Sequence, residues 1–408
     1  MSELSIWRTS LLVLAAAPLA YYLVAIFAAL QFFRRERARR LPEFVPPVSL
    51  LKPVHGVDFA SGINFESFCR QNYPDYEILF CVNDMDDPAV PLLRQVMRDF
   101  PQRSIRILSN APKIGSNQKV NNLILLAREA RHEIVVQSDG DVRVSPDYLK
   151  NVVAEFADPA VGVASCFYRG VAEENFWAEV EAVGAASDFF AGALVASLPG
   201  RVTFALGASV ATTKTWLANI GGYEALADLL ADDYEIGNRV HNSGGKVLLS
   251  REAVWTMYPA QTLQGFWEHQ VRWARTVRLV RPASFFGLVI THGLPWCVLA
   301  AVVAPTAWIG AGFVAAYLVL RLLMAWVVGV WGVQDDVLRR KLWLVPVRDA
   351  IHFVVWVAGF VSNRVTWGGV EYAIEGGRMR EVEAGKKEED LTQRSQRKST
   401  EGTEKRRR

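Results

Sequence analysis

The hydrophobic and polar positions divide the chain into an apolar beginning, an alternating middle and an apolar, interrupted last third. The first apolar run, Leu11 to Phe33, has 23 residues and no charged side chain. A helix of that length is about 34 Å long and crosses the hydrocarbon core of a bilayer. A cleaved signal peptide is the alternative, but its apolar core is shorter and ends in small residues. This run instead ends at a basic cluster: Arg34, Arg35, Arg37, Arg39 and Arg40. The pattern predicts an uncleaved anchor over 1–45, with the following chain in the cytoplasm.

The second apolar region, 283–334, is too long for one membrane span. Pro305 and the glycines that follow it indicate a tight turn between two spans, predicted over 284–303 and 307–330. One permanently charged side chain, Arg321, stands inside the second span. Because its charge is costly in lipid, we expect it to face protein, to reach the membrane surface or to meet a lipid headgroup.

A third stretch, 342–361, is apolar but interrupted by Pro346, Arg348, Asp349 and His352. The basic clusters at 339–341 and 406–408 should both be cytoplasmic, and that requires the stretch between them not to cross. The sequence therefore predicts a re-entrant or interfacial segment over 335–379. The remainder, 380–408, is charged, rich in Ser and Thr and almost free of aromatic residues, which is typical of a disordered tail.

The middle of the chain, 46–263, alternates short apolar strands with amphipathic helices. The predicted strands are 48–51, 76–82, 104–108 and 133–137. The predicted helices are 59–71, 88–100 and 117–131. This alternation predicts an α/β fold with a mostly parallel sheet and helices on both faces.

The amino-acid composition excludes some classes of protein but does not indicate a function. The chain is 51% hydrophobic and 21% charged, with a net charge of +3 over 408 residues. This composition excludes a wholly disordered chain, and the small net charge argues against a nucleic-acid partner held by bulk charge. The four Cys are scattered without metal-type spacing, so we interpret them as buried small side chains.

Acidic residues follow two of the predicted strands at the place where each strand ends. Asp84, Asp86 and Asp87 follow one strand, and Asp139 and Asp141 follow another. Ligands of parallel sheets bind beyond the carboxyl ends of the strands. Two carboxylates on one loop can reach one Mg²⁺ or Mn²⁺ that carries a phosphorylated ligand. The alternative is a plain turn, since Asp and Gly favour turns without any ligand.

A further acidic pair, Asp232 and Asp233, opens a helical pattern 92 residues after Asp141. One of the two could simply cap the helix and stabilise it by about 1 kcal/mol. The functional interpretation is a general base, because adjacent, partly buried acids raise each other's pKa.

The segment 264–282 carries arginine at every third position among aromatic and aliphatic residues. These arginines are Arg272, Arg275, Arg278 and Arg281. An amphipathic helix at the membrane surface explains the pattern by itself. The alternative adds a role for Arg272, whose guanidinium fork suits a diphosphate.

Taken in order along the chain, these motifs resemble the inverting glycosyltransferases of the GT-A fold, and more narrowly glycosyltransferase family 21, the ceramide glucosyltransferases. The likeness covers roughly residues 46–282. It implies a cytosolic GT-A domain between an N-terminal transmembrane helix and a C-terminal membrane region. The bacterial hopanoid-associated glycosyltransferases are also similar, and the stretch 221–228 suits either branch.

The resemblance implies roles for individual residues on the donor side. Lys52 and Asp58 bound the family's nucleotide-side loop, and Asp84 matches the first acidic site, which holds the nucleoside. Lys119 would lie near the diphosphate. Asp139 matches the second acidic site and, with Asp141, would bind the divalent cation, Mg²⁺ or Mn²⁺.

On the acceptor side, Asp233 matches the third acidic site and is the implied base. Arg272 and Trp273 match the end of the last motif, whereas His269 stands where that motif has Gln or Arg. The apolar stretch 189–198 is a candidate acceptor contact, with a buried helix as the alternative.

The expected activity is transfer of a hexose, glucose above all, from a UDP-sugar to the primary hydroxyl of a membrane lipid, ceramide above all. The alternatives are transfer of a UDP-GlcNAc-type sugar to a hopanoid and a processive polysaccharide synthase, for which two spans after the domain are few. The expected location is the membrane, the inner membrane in a bacterium, with the catalytic domain in the cytoplasm.

Overall fold

The computed structural model describes residues 3–198, 200–367 and 370–382. In its first half the helices are α1 Glu3–Ala15, α2 Ala17–Ala38, α3 Ser61–Cys69, α4 Ala89–Asp99, α5 Gln118–Glu129, α6 Tyr148–Val153, α7 Phe176–Gly184 and α8 Phe190–Ser197. In its second half they are α9 Lys214–Asn219, α10 Asp232–Asn242, α11 Leu263–Val280, α12 Pro282–Gly287, α13 Gly293–Val303, α14 Ala307–Ala325, α15 Asp336–Arg340 and α16 Leu344–Ala358. Two π-helical turns, Ala185–Phe189 and Trp326–Val333, extend α7 and α14.

Eight strands form one mixed sheet in the middle of the chain. They are β1 Val48–Pro53, β2 Tyr76–Cys81, β3 Ser104–Leu108, β4 Ile134–Ser138, β5 Val142–Arg143, β6 Val161–Ala172, β7 Ser209–Thr213 and β8 Lys246–Tyr258. Their order is β3-β2-β1-β4-β7-β6-β8-β5. β3, β2, β1 and β4 run parallel, β7 is antiparallel to both of its neighbours, and β6 and β8 are parallel to each other.

Side chains along each strand point alternately to the two faces of this sheet. Leu50 and Phe80 point into one apolar core, beneath α3, α4 and α6. Their neighbours Leu51 and Leu79 point into a second core, beneath α5, α9 and α10. All four side chains are fully buried, as expected for strands that are covered on both faces. The predicted α/β class, with helices on both faces of the sheet, is therefore confirmed.

Three helical stretches within the described ranges are long and apolar enough to cross a membrane: Ile6–Ala38, Phe176–Ser197 and Ala307–Val333. The most apolar window of Ile6–Ala38 is only 28% buried, so most of this stretch faces outward. The window of Phe176–Ser197 is 61% buried, because α8 packs against α2 and the π-turn before it packs against 326–333. The stretch 189–198 is thus in large part a helix inside the protein.

The stretch predicted as a span over 284–303 is bent in the structure, and its two parts together are long and apolar enough for a broken span or a re-entrant loop. The structure has two helices here, Pro282–Thr291 and Gly293–Val303, that meet at an angle of 49°. The break falls at His292, whose backbone is not helical. Gly293 follows, and its backbone N–H donates to the hydroxyl of Tyr22 on α2, 3.1 Å away. A Cβ at position 293 would lie 2.2 Å from the same oxygen, so this close approach requires glycine.

A second sheet, which the sequence did not predict, follows the last helix. Its strands are β9 Arg364–Trp367, β10 Val370–Glu375 and β11 Arg378–Glu381, paired antiparallel in the order β11-β10-β9. The boundary predicted at 380 therefore falls inside a strand, and the start of the predicted tail is ordered. The rest of that tail, 383–408, lies outside the described residues.

Arg321 faces protein, which is one of the three outcomes expected for it. Its guanidinium contacts Asp349 of α16, with Nη2 2.8 Å from Oδ1, and it also contacts Asp188 in the π-turn after α7. The Tyr317 hydroxyl donates to the Asp349 carboxylate at 2.8 Å. Arg321 is 2% exposed, so its charge is compensated inside the bundle. Because α16 supplies Asp349, the stretch 342–361 packs onto α14 rather than standing apart from it.

Candidate active site

A cavity of about 790 Å³ opens at the carboxyl ends of the parallel strands. Val54 and Gly56 line it from the loop after β1, and Asp139 and Asp141 line it from the loop after β4. Lys119 reaches it from the first turn of α5. The cavity therefore lies where the strand order of a doubly wound sheet places a ligand.

Lys119 lies among three carboxylates at the inner end of this cavity. Its Nζ atom is 2.9 Å from Oδ1 of Asp139, 3.3 Å from Oδ2 of Asp233 and 3.7 Å from Oδ2 of Asp232. Asn117, the N-cap of α5, donates its side-chain amide to the carbonyl of Leu229 at 2.8 Å. This bond ties the start of α5 to the loop that precedes Asp232 and Asp233. The fold thus joins the second and third acidic sites through one ammonium group.

Asp233 is held by two further contacts that the sequence did not indicate. Gln137, at the end of β4, donates its side-chain amide to Oδ1 of Asp233 at 2.8 Å. The Tyr223 hydroxyl donates to Oε1 of that glutamine at 2.7 Å and so fixes its orientation. On the other side, a Cβ added at Gly207 would lie 2.4 Å from Oδ2 of Asp233. A larger residue at 207 would therefore displace this carboxylate from its observed position.

The electrostatics of this cluster favour a proton acceptor at position 233. Burial raises the pKa of Asp233 well above its usual range, and the Asp232 carboxylate raises it further, against the opposing effect of Lys119. Burial likewise raises the pKa of Asp232. Burial disfavours the charge of Lys119, but Asp139, Asp232 and Asp233 outweigh it and hold the lysine pKa well above its usual value. A carboxyl group with a raised pKa in such a site is suited to general-base chemistry.

Asp139 and Asp141 share one loop and one side of the cavity. Burial, followed by the neighbouring Asp139 carboxylate, raises the pKa of Asp141 to about 7, while the Lys52 ammonium opposes the shift. Among the described residues no group of three or more His, Cys, Asp or Glu side chains is placed to hold a metal ion by itself. Mg²⁺ and Mn²⁺ sites that carry phosphates need only one or two carboxylates, so the pair fits a cation brought in with a diphosphate.

Lys52 is the penultimate residue of β1, and Asp58 lies in the loop that follows this strand. Lys52 is fully buried, donates to the backbone carbonyl of Asp139 at 2.5 Å and lies 4.0 Å from the ring centroid of Phe68. Burial lowers its pKa to about 7. It therefore supports the Asp139 loop from behind, whereas Asp58 lines the cavity and accepts hydrogen bonds from Ala60 and Ser61 at the start of α3.

Asp84 is exposed and is not among the residues that line the cavity. Its Oδ1 atom accepts a hydrogen bond from the backbone of Asp86, which is turn geometry. Asp87 is the buried acid of this motif, and its carboxylate accepts the backbone N–H of Gly56 at 3.1 Å. Asn83 does line the cavity. The structure thus brings this motif to the edge of the site through Asn83 and Asp87.

α11 brings Arg272 and Trp273 to the border between the sheet domain and the apolar helices. The Arg272 guanidinium lies 5.9 Å from the ring centroid of Trp367 in β9, and Trp367 lines the cavity. Trp273 packs edge-on against Phe189, with their ring centroids 6.3 Å apart. These two neighbours in sequence therefore face different surroundings, one towards the cavity wall and one towards the apolar bundle.

The second sheet also borders the cavity. Trp367, Val370 and Tyr372 contribute to its wall. Glu381 forms an ion pair of 3.1 Å with Lys113, and the backbone N–H of Met379 donates to the Asp228 carbonyl at 2.7 Å. The sequence pattern predicted a re-entrant or interfacial segment over 335–379 and did not indicate these strands. The signal for these strands that the sequence offered was the pair of aromatic residues Trp367 and Tyr372.

A carboxylate with a raised pKa beside a cavity of about 790 Å³, at the strand ends of an α/β sheet and next to apolar helices, is an arrangement that suits group transfer. The sequence model of glycosyl transferase family 21 matches residues 10–379, and the chain belongs to that family. It is therefore a glycosyltransferase. The predicted GT-A class agrees with this family and with the observed sheet.

The chain is similar to ceramide glucosyltransferase 1 of Caenorhabditis elegans, at 24% identity over 378 residues, covering 88% of this chain and 78% of that protein. It is 22% identical over 270 residues to the poly-beta-1,6-N-acetyl-D-glucosamine synthase of Staphylococcus aureus, covering 61% and 62%. A solved mannosyltransferase from Pyrobaculum calidifontis, in complex with GDP-Man and Mn²⁺, aligns at a TM-score of 0.44 and 18% identity, covering 84% of this chain and 99% of that one.

Proposed function

We propose that this protein transfers a hexose, in the first place glucose, from a UDP-sugar to the primary hydroxyl of a membrane lipid, in the first place ceramide. The observation that carries the proposal is Lys119, which lies between Asp139 on the cavity side and Asp233 beyond it. A donor in the cavity would bring its diphosphate to Lys119. Its anomeric carbon would then lie towards Asp233.

Asp233 is the proposed base. Its raised pKa suits it to take the proton from the lipid hydroxyl as the hydroxyl oxygen forms its bond to the anomeric carbon. The bond from the anomeric carbon to the diphosphate oxygen breaks on the opposite face, and UDP leaves. One displacement inverts the anomeric configuration, so an α-linked donor gives a β-linked product.

The positive groups around the cavity stabilise the departing diphosphate. Lys119 already pairs with carboxylates, so it carries its charge into the reaction. Arg272 would add a second cation at the Trp367 side of the cavity. Asp139 and Asp141 would hold the divalent cation, which supplies further charge compensation at the diphosphate when bound.

The proposed donor site also includes Asp58, Asp84 and Lys52, each with a different role. Asp58 faces the cavity and is placed to contact the nucleoside. The Asp84 motif would reach the nucleoside at the cavity edge, next to Asn83. Lys52 acts from behind, by fixing the Asp139 carbonyl.

A lipid acceptor accounts for the apolar helices beside the site. Phe189 and Trp273 are 40% and 45% exposed and form an aromatic surface between the bundle and the acidic cluster. An acceptor could keep its acyl chains among the helices while its hydroxyl passes this surface to Asp233. The basic residues after α2 favour a catalytic domain in the cytoplasm. The division of the chain at residues 45, 263, 282 and 334 stays part of the proposal.

Two other acceptors remain as alternatives, a hopanoid lipid and a growing polysaccharide. The similarity to the Staphylococcus aureus synthase is the observation behind the second. Solvent extraction of the radiolabelled product separates lipid from polymer, since only lipid products partition into organic solvent. Mass spectrometry of the extracted lipid then separates ceramide from hopanoid.

The test of the base is Asp233→Asn in the full chain, with Asp232→Asn as the matched control. Asp233→Asn should abolish transfer of radiolabelled hexose into lipid while leaving UDP-sugar binding nearly unchanged. The asparagine keeps the shape and the contact with Gln137 but cannot take the proton. Retained turnover in Asp233→Asn would overturn the assignment of the base.

A further inference from the structure

Trp273 is the end of a hydrogen-bonded chain that starts inside the protein at Glu181. Oε1 of Glu181 lies 2.5 Å from Nδ1 of His269, and Nε2 of His269 lies 3.0 Å from the indole Nε1 of Trp273. The other oxygen of Glu181 accepts a hydrogen bond from the side-chain amide of Gln261 at 2.6 Å. Three elements meet here, because Glu181 is on α7, Gln261 precedes α11, and His269 and Trp273 are on α11.

The chemistry of the chain fixes the direction of each hydrogen bond. The indole N–H of Trp273 only donates, so Nε2 of His269 accepts. The imidazole therefore carries its proton on Nδ1 and donates it to the carboxylate of Glu181. One carboxylate oxygen of Glu181 accepts a hydrogen bond from His269 and the other accepts one from Gln261, so the imidazole is held in one orientation. The hydrogen bond from the indole N–H to Nε2 of His269 then orients the Trp273 side chain.

Glu181 is itself well placed to act as the fixed end. Its side chain is 8% exposed. Burial of a charged carboxylate is costly unless hydrogen bonds compensate it, and His269 and Gln261 supply two. Trp273, at the other end, is 45% exposed and packs edge-on against Phe189. The chain thus runs from a buried anchor to an accessible aromatic surface.

We propose that Glu181 and His269 are positioning residues for the acceptor, which hold the indole of Trp273 at the angle that lets the lipid headgroup pass towards Asp233. This inference rests on the proposed function, in which the surface formed by Phe189 and Trp273 borders the acceptor path. Neither Glu181 nor His269 lines the donor cavity. Their loss should therefore weaken acceptor use and leave donor binding unchanged.

The first experiment compares His269→Ala, Glu181→Ala and His269→Gln in steady-state kinetics on the full-length protein in detergent. We expect His269→Ala and Glu181→Ala to raise the KM for ceramide about tenfold, with the KM for UDP-glucose within twofold of wild type. Glutamine has both an acceptor and a donor, so His269→Gln should restore the acceptor KM to within about threefold.

The second experiment is a double-mutant cycle with Trp273→Phe, which removes the indole N–H and keeps an aromatic ring. If His269 acts through the indole, adding His269→Ala to Trp273→Phe should change the acceptor KM by less than twofold. The ¹⁵N indole resonance of Trp273, assigned by its loss in Trp273→Phe, should shift in His269→Ala and stay in place in His269→Gln.

The outcomes separate this inference from the proposed function. Wild-type protein that transfers no sugar to ceramide contradicts the proposed acceptor, and the indole resonance then still reports whether His269 holds Trp273. An unchanged acceptor KM and an unshifted resonance in His269→Ala overturn the inference. Equal increases in the KM for the donor and in the KM for the acceptor, together with a lowered melting temperature in His269→Gln, would also overturn it, because they indicate a purely structural role.

Discussion

The Nζ atom of Lys119 lies 3.3 Å from Oδ2 of Asp233, so a cation that lines the cavity contacts the proposed base. The same ammonium is 2.9 Å from Asp139. A diphosphate that draws Lys119 towards the cavity would loosen its hold on Asp233. The geometry therefore links occupation of the donor site to the freedom of the base.

Lys119→Met is expected to lower kcat by a factor of roughly 10²–10³, because it removes a charge that faces the leaving group. It also leaves three carboxylates close together without their shared cation. Lys119→Arg is the matched control and should keep part of the activity. Steady-state kinetics with radiolabelled UDP-sugar checks both variants, and a Lys119→Met enzyme with wild-type kcat would contradict this role.

Asp233→Asn should also change how stability depends on pH. The pKa of Asp233 is raised in the folded protein, so the folded state holds its proton more tightly than the unfolded state does. Stability from this group is present at low pH and is lost as the pH rises from about 4 through the raised folded-state pKa. At pH 8 the asparagine variant should therefore melt higher than wild type by roughly 2–4 °C.

Thermal unfolding in detergent at pH 5 and pH 8 measures this difference. At pH 5 the gap between the two proteins should shrink, because a raised pKa destabilises the folded protein less as the pH falls towards the usual range of Asp. A variant that melts lower than wild type at pH 8 would show that the contact with Lys119 outweighs burial.

Gly207→Ala is expected to reduce kcat about tenfold or more, although it lies outside the acidic motifs. The added Cβ would fall 2.4 Å from Oδ2 of Asp233, so the carboxylate has to move away from Gln137. Misplacement of a catalytic group by about 1 Å can cost a factor of 10². Gly62→Ala is the control, since its Cβ would meet only a leucine methyl at 3.6 Å. Equal activity of both variants in the transfer assay would argue against a confined Asp233.

Asp141→Asn should raise the Mn²⁺ concentration needed for half-maximal activity by about tenfold. One of the two carboxylates that would hold the cation loses its charge, and cation sites of this kind depend on ligand charge. Asp86→Asn, an exposed acid of the first acidic motif, is the control and should titrate like wild type. Activity that survives full removal of divalent cations would contradict the cofactor assignment.

The strands that build the site could be predicted from the sequence because each is a short apolar run with a clear end. β3 has the predicted bounds, and β1, β2 and β4 differ by one or two residues. Asp139 and Asp233 were recognisable for the same reason, since each acid stands at the boundary of an element. The contacts that Lys119 makes with both carboxylates could not be predicted, because they depend on how α5 and α10 pack on the sheet.

The contacts that the sequence did not reveal come from residues with ordinary local roles. The sequence around Gln137 and Tyr223 does not indicate a functional role. These residues become important only because the fold places them beside Asp233. The break at His292 depends on the Tyr22 hydroxyl, more than 250 residues away in the chain. The second sheet lies mostly in the segment predicted to be re-entrant or interfacial, and the pairing of its three short strands becomes visible only in the fold.

The central claim is the transfer of a hexose to a lipid with inversion at the anomeric carbon. The most direct measurement incubates the purified full-length protein with ¹³C-labelled UDP-glucose and ceramide, then records the mass and the anomeric proton coupling of the extracted lipid. We predict a monohexosylated ceramide with a β linkage from the α-linked donor. An α-linked product would contradict the single displacement at Asp233, and label found only in a polymer would contradict the lipid acceptor.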